Sequence, residues 1–288
     1  MLDFLVPCLV TGARGMLGHD LCAALNQAGV GYVATDLGDI DVGSLDSVRL
    51  VFNDVKPGMV INLAAMTDVD GCESSRDEAF RVNATGPENL ALASRDFGSY
   101  FVHISTDYVF DGSKNEPYLE DDTPNPLGIY GKSKLEGEIR LRTVLERNYL
   151  IVRTQWLYGS NGKNFVDTIV GAAKQNSRLK IVNDQRGAPT YTVDLADSVL
   201  KLCQLKPSGI FHVTNSDTTT WSNFASKILN FAGIDGVEIE EISTEQLARP
   251  APRPLYSVLD TSKFERFTGM KMRPWDAAVR QYISTRNY

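Results

Sequence analysis

A glycine loop between an apolar run and a helical pattern constrains this chain more than any other feature. Residues 4–11 are short and apolar, and Thr11-Gly12-Ala13-Arg14-Gly15-Met16-Leu17-Gly18 follows at once. Gly12, Gly15 and Gly18 carry no side chains, so the backbone can turn tightly there and approach a pyrophosphate seated at a helix N-terminus. The spacing is GxxGxxG, not the commoner GxGxxG, and by itself it also suits a plain glycine turn. The succession behind the loop narrows the choice. Residues 15–29 read as a helix, 32–35 as a strand ending at Asp36, 45–54 as a helix and 59–63 as a buried strand. A long helix over 77–97, a strand over 100–105, a helix opening near Leu127 and a strand over 150–153 continue the alternation. This rhythm predicts an α/β fold built on a doubly wound parallel sheet.

The second half is less regular. Residues 164–173, 193–205, 221–232 and 275–283 have helical spacing, and 210–214 reads as a further strand. Ala248-Arg249-Pro250-Ala251-Pro252-Arg253-Pro254 must be a loop, because proline breaks a helix interior. The change of texture near Gln155 predicts a dinucleotide-binding core over 1–155, with returning segments near 189–215. A smaller mixed α/β lobe, mainly 156–288, would then hold the substrate.

With 288 residues the chain can bury a core of that size. A net charge of −7 and a pI near 5.1 argue against a nucleic-acid partner. Cys8, Cys22, Cys72 and Cys203 are widely separated, as expected of free thiols in a reducing compartment. The N-terminus lacks a basic n-region and no apolar run reaches membrane-spanning length, so a cytoplasmic protein with no membrane partner is expected. No cluster has metal-ligand spacing, and no metal is expected. Assembly as a homodimer is compatible with the sequence but not fixed by it.

Four further stretches carry chemistry. Asp36 ends the second strand, where a carboxylate can accept hydrogen bonds from ribose hydroxyls and repel a 2′-phosphate. Arg14 pulls the other way, so NADH and NADPH stay open as cofactors. Asp41 and Val42 can border an adenine, or simply belong to a loop. In Asn62-Leu63-Ala64-Ala65-Met66-Thr67-Asp68-Val69, the small Ala64 and Ala65 permit close approach of a cofactor and Thr67 offers a hydroxyl. Thr106 stands at the end of the fourth strand, where ligands bind in open α/β sheets and a hydroxyl can donate to a carbonyl oxygen. Tyr130 and Lys134 lie four apart on a predicted helix and project from nearly the same face. A phenol has a reference pKa of about 10, and a nearby ammonium favours its phenolate. Such a pair can hand a proton to an oxygen while a cofactor supplies hydride.

Taken together, TGARGMLG, NLAAMTDVDGCE, HISTDYVFDG, PNPLGIYGKSKLEGE, VRTQWLYG, DQRGAPTYTVDLA and RPLYSVLDTSKF resemble the extended short-chain dehydrogenase/reductases. Within them the chain closely resembles the dTDP-4-dehydrorhamnose reductase family, and the resemblance covers nearly the whole chain. The resemblance implies a Rossmann-type core binding NADPH or NADH and a lobe binding a dTDP-sugar whose C4 ketone is reduced. It also implies roles for single residues. Tyr130 would protonate the forming alkoxide, Lys134 would hold the nicotinamide ribose and tune Tyr130, and Thr106 would bind the reacting oxygen. Gly12, Arg14, Gly15, Met16, Leu17, Gly18, Asp36, Asp41, Val42, Ala64, Ala65 and Thr67 would line the cofactor site. Thr67, Val69, Trp156 and Arg253 would reach the substrate.

Sugar-nucleotide 4,6-dehydratases carry Asp-Glu after the threonine. Here Asp107-Tyr108 follows Thr106, which leaves out the second acid. A sugar 4-epimerase stays open, as does a non-catalytic relative, the regulatory subunit of methionine adenosyltransferase. The intact Thr106, Tyr130 and Lys134 favour the enzyme. His103 and His212 fall inside predicted strands and read as structural.

Overall fold

A computed structural model describes residues 7–286 and 288. Its centre is a six-stranded sheet made by β1 (Cys8–Thr11), β2 (Tyr32–Thr35), β3 (Met59–Asn62), β4 (Tyr100–Thr106), β5 (Tyr149–Thr154) and a last strand, Gly209–His212. The spatial order is Gly209–His212, β5, β4, β3, β1, β2, and every neighbouring pair is parallel. The chain is therefore doubly wound, as the alternation predicted. Residues 4–6 of the first predicted strand lie outside the described residues.

Side chains of a strand alternate between faces, and a parallel sheet with helices on both sides must be apolar on both. The two cores obey that period of two. Val10, Ile61, Val102 and Val152 pack on one face with Leu21 and Leu25 of α1 (Met16–Gln27) and with Leu195, Val199 and Leu202 of helix Thr192–Leu205. Their neighbours Leu9, Val60, Phe101 and Ile151 pack on the other face. There they meet Phe52 of α2 (Leu45–Val55), Leu90 of α5 (Gly86–Phe97) and Leu141 of α6 (Ile129–Val144). Each such side chain, fully buried, contributes about 1.5–3 kcal/mol.

A separate core joins Tyr158, Ile169, Phe224, Trp275 and Tyr282. Helices Phe165–Ala173, Trp221–Phe231 and Trp275–Ser284 and a parallel strand pair, Arg178–Val182 with Glu238–Ile242, build it. The strand pair and the helix Ser262–Thr268 lack a clear period in the sequence and were not expected. Among the described residues no helix is long and apolar enough to cross a membrane.

The helix expected over 77–97 is broken. A short α3 (Val69–Ser74) precedes it, and α4 (Arg76–Phe80) passes through a π-helical turn, Arg81–Thr85, into α5. Asn83 explains the break. Its side chain accepts from the Met66 N–H at 2.9 Å and donates to the Met66 carbonyl at 3.0 Å and to Ser133 Oγ at 3.1 Å. The widened turn lets one buried amide hold the loop after β3 against α6. Pro87, with no N–H to offer, follows directly on the widened turn, where the regular hydrogen-bond ladder is already interrupted.

Candidate active site

The sheet order reverses direction between β1 and β3, and ligands of open α/β folds bind at that point, outside the strand ends. A cavity of about 680 Å³ opens there. Gly12, Gly15, Met16, Leu17, Gly18, Asp36, Asp41, Val42, Ala64, Ala65, Thr67, Val69, Thr106, Tyr130, Lys134 and Trp156 all line it. Of the residues expected at the site, Arg14 and Arg253 are not on its wall.

The glycine-loop end is shaped by close backbone packing. Gly12 has φ +69, and a Cβ there would stand 2.6 Å from the Ala64 nitrogen. The loops after β1 and β3 can touch only because that side chain is missing. Asp36 closes this end. Its carboxylate accepts the N–H groups of Arg14 and Leu37, each at 2.8 Å. The Arg14 guanidinium turns outward to Asp39 at 3.4 Å and is largely exposed. Asp41 is held by Arg81 Nη1 at 2.6 Å, and Arg81 also grips Glu78 through Nε at 2.7 Å. Arg81 and Glu78 line the cavity mouth, with apolar Ile40 and Val42 beside them.

At the other end stand Thr106, Tyr130 and Lys134. Gly131 sets their spacing, because a Cβ on it would lie 2.1 Å from the Tyr108 carbonyl oxygen. With hydrogen instead, α6 lies against the turn after β4. The Tyr130 ring meets Tyr108 edge-on, 5.4 Å between centroids, and its hydroxyl hydrogen-bonds Thr106. Burial pushes the Tyr130 phenol above its ordinary pKa, so it rests protonated. Thr106 Oγ1 donates to Asp107 Oδ1 at 3.0 Å and accepts the Tyr108 N–H at 3.2 Å. Asp107 is buried, and desolvation raises its carboxyl to about 7. The neighbouring Ser105 faces away and donates to the buried Glu138 carboxylate, as strand alternation requires.

Lys134 is 2 % exposed. Its Nζ donates to the Ile104 carbonyl at 2.7 Å and lies 3.2 Å from His103 Nε2. Burial lowers it to about 8, and Glu138 opposes the shift. Glu138 is itself committed to Arg153, with contacts of 3.0 Å to Nε and 2.6 Å to Nη2.

Trp156 forms the wall at the sugar-facing end of the expected site. Its backbone is left-handed, φ 48, and its ring stacks on Trp221 with centroids 3.7 Å apart. Trp221 Nε1 donates to Gln185 at 3.0 Å, which fixes the stack from behind. Arg253 is not among the lining residues. It binds Asp70 at 3.0 Å and the Ala251 carbonyl at 2.8 Å, and so ties the proline-rich loop to α3. Asn83, His103, Glu138 and Trp221 were missed as parts of the site. Their signal lies in cross-strand and cross-helix partners, which no local motif encodes.

The comparisons with known proteins agree with this geometry. A spore coat polysaccharide biosynthesis protein, SpsK, of Bacillus subtilis (strain 168) is 43% identical over 97% of this chain and 97% of its own. The crystal structure of a dTDP-4-dehydrorhamnose reductase ortholog from Clostridium acetobutylicum superposes with a TM-score of 0.94 at 44% identity, covering 97% of this chain and 99% of that one. The Bacillus anthracis dTDP-4-dehydrorhamnose reductase, solved in complex with NADP, gives 0.94 at 36% identity, covering 98% and 99%. The profile described as RmlD substrate binding domain matches residues 7–287, and the chain belongs to that family.

Proposed function

We propose that this chain reduces the C4 ketone of dTDP-4-dehydro-L-rhamnose to the alcohol of dTDP-L-rhamnose, using NADPH or NADH. One observation carries the reading. A single cavity holds a glycine loop and ribose-height carboxylate at one end and Thr106, Tyr130 and Lys134 at the other. The fit to a dinucleotide rests on the glycine loop: Gly12, Gly15 and Gly18 line the cavity, and the missing Gly12 side chain lets this loop pack directly on the loop after β3. Residues 1–155 are proposed to hold the cofactor and 156–288 mainly the nucleotide sugar. Four unpaired cysteines suit a cytoplasmic enzyme.

The bound dinucleotide supplies the hydride to C4. The chain's own groups handle the oxygen. As charge develops there, the Thr106 hydroxyl donates to it, which requires that hydroxyl to turn from Asp107. The Tyr130 phenol, still protonated at neutral pH, gives its proton to the forming alkoxide. Lys134, held by Ile104, stands one helical turn away to orient the ribose and return a proton to Tyr130. Trp156 walls the sugar, with Trp221 keeping its ring in place.

The test is direct. Purified protein mixed with dTDP-4-dehydro-L-rhamnose and NADPH or NADH should oxidise the reduced nicotinamide, followed by absorbance, in proportion to the alcohol formed. Protein that binds NADPH yet leaves it unoxidised would sink the proposal. A second expectation concerns the loop. Gly12→Ala must place an alanine at φ +69 against the Ala64 backbone. Strain of that kind costs about 1–3 kcal/mol, so the NADPH Kd measured by calorimetry should rise roughly 5- to 150-fold.

A further inference from the structure

We propose that His103 is a positioning residue that weakens the hold of Lys134 on its proton. It does so by presenting an N–H, not a lone pair, to the Lys134 amine. The inference deepens the reductase reading and rests on it for its kinetic consequence, but its first test needs no turnover.

The argument is a count of donors and acceptors along one buried chain. It starts at backbone. The Ala64 N–H donates to Asn62 Oδ1 at 3.1 Å, and the Thr11 hydroxyl donates to the same oxygen at 2.7 Å. A backbone N–H cannot become an acceptor, so the Asn62 amide is locked with its oxygen on that side. Its nitrogen then faces His103 Nδ1 at 3.0 Å and must donate to it. His103 and Asn62 are buried, at 0 % and 1 % exposure, so no solvent can substitute. A neutral imidazole that accepts at Nδ1 carries its proton on Nε2. That nitrogen is the one 3.2 Å from Lys134 Nζ.

An ammonium facing an N–H at that distance is a donor against a donor. Loss of a proton relieves the conflict, because the neutral amine accepts from His103 and donates to the Ile104 carbonyl, so the ammonium present at rest holds its proton weakly. Burial and the nearby Lys134 hold His103 itself well below its ordinary pKa, which keeps it neutral, and burial moves Lys134 in the same direction. The other groups around Lys134 do not undo this. Glu138, one turn along α6, favours the ammonium but is bound by Arg153 and Ser105. Tyr130, one turn back, rests as the neutral phenol, and Asp107 acts on Tyr130.

The consequence is a lysine that gives up its proton readily. After Tyr130 has donated to the alkoxide, the ammonium of Lys134 transfers a proton to the phenolate and is left as the neutral amine that His103 stabilises. Solvent then reprotonates it.

Two measurements test this on the full-length protein. The chain has only three histidines, so nitrogen-15 spectra of histidine-labelled protein can assign each tautomer. His19 is exposed and serves as the solvent-facing reference. His212 places Nδ1 3.1 Å from the Tyr118 carbonyl and should be the Nδ1–H form, an internal opposite. His103 should be the Nε2–H form with bare Nδ1. Finding Nδ1–H on His103 overturns the proposal, whether or not the enzyme turns over.

The second measurement is the alkaline limb of kcat against pH. His103→Phe removes the N–H, and Asn62→Asp lets a carboxylate take the Nδ1 proton instead. Both favour the ammonium and should move the limb to higher pH by roughly 0.5–1 unit. A merely structural histidine would lower kcat at every pH and leave the limb in place, which would also overturn the proposal. Absence of turnover in the unaltered protein would instead remove the reductase reading.

Discussion

Tyr130→Phe should cut kcat by about 10²- to 10⁴-fold while leaving the fold and NADPH affinity close to unchanged. The size follows from what the hydroxyl does. Reduction of a ketone creates an alkoxide, and a proton placed within reach of it contributes on that scale. The selectivity follows from where the ring sits. Tyr108 packs edge-on against it at 5.4 Å, so phenylalanine keeps the same contacts. Loss of the hydrogen bond to Thr106 costs only about 0.5–1.5 kcal/mol. Burial raises the phenol pKa, so the wild type keeps its proton across the neutral range and Tyr130 ionisation does not set the alkaline limb there. The check is steady-state kinetics with calorimetric binding of NADPH on the same preparation. Near-normal turnover would take Tyr130 out of the acid role. A loss of cofactor affinity equal to the loss of kcat/KM would assign it to binding.

The sheet was legible because its physics is local. Val10 and Leu9, Ile61 and Val60, Val102 and Phe101 send alternate side chains to two apolar faces, and each strand therefore reads as an unbroken hydrophobic run. Thr106, Tyr130 and Lys134 were legible for another reason. Two lie on one helix at fixed spacing, and the third ends a strand at the edge where ligands bind. What escaped depends on partners far away in the chain. Asn83 belongs to a helix by pattern, yet it widens the turn to grip Met66 and Ser133. His103 looked like core, and only the register of β3 with β4 puts Asn62 beside it.

The two arginines show the same limit from the other side. Arg14 sits in the glycine loop, but Asp39 draws its guanidinium outward. Arg253 carries the charge a diphosphate would need, but it is paired with Asp70 at 3.0 Å. A cation's place in the sequence says little until its carboxylate partners are known. Trp156 was placed by its motif, whereas the Trp221 ring behind it comes from a helix that begins more than sixty positions later.

Glu138→Ala should destabilise the folded protein by about 3–5 kcal/mol, the largest effect expected from any single change at the site. Glu138 and Arg153 have side chains only 1 % and 2 % exposed and meet through two nitrogens, with the Ser105 hydroxyl on the same carboxylate. Removing the carboxylate leaves a guanidinium with no counter-charge in the apolar floor beneath the site. The guanidinium also lies over the Phe110 ring at 5.1 Å, which cannot compensate. Urea unfolding of Glu138→Ala against the wild type measures the loss. The double variant Glu138→Leu, Arg153→Met should recover most of it, because a buried ion pair contributes little net over apolar packing. A cost below about 1 kcal/mol for the single variant would mean that Arg153 reaches solvent or another acceptor. Glu138→Gln carries the functional half of the argument. Glu138 favours the charged form of Lys134, so its removal should move the alkaline limb of kcat to lower pH, opposite to His103→Phe. Opposite shifts from two residues that act on one amine distinguish tuning of Lys134 from general damage to the site, which would move neither limb.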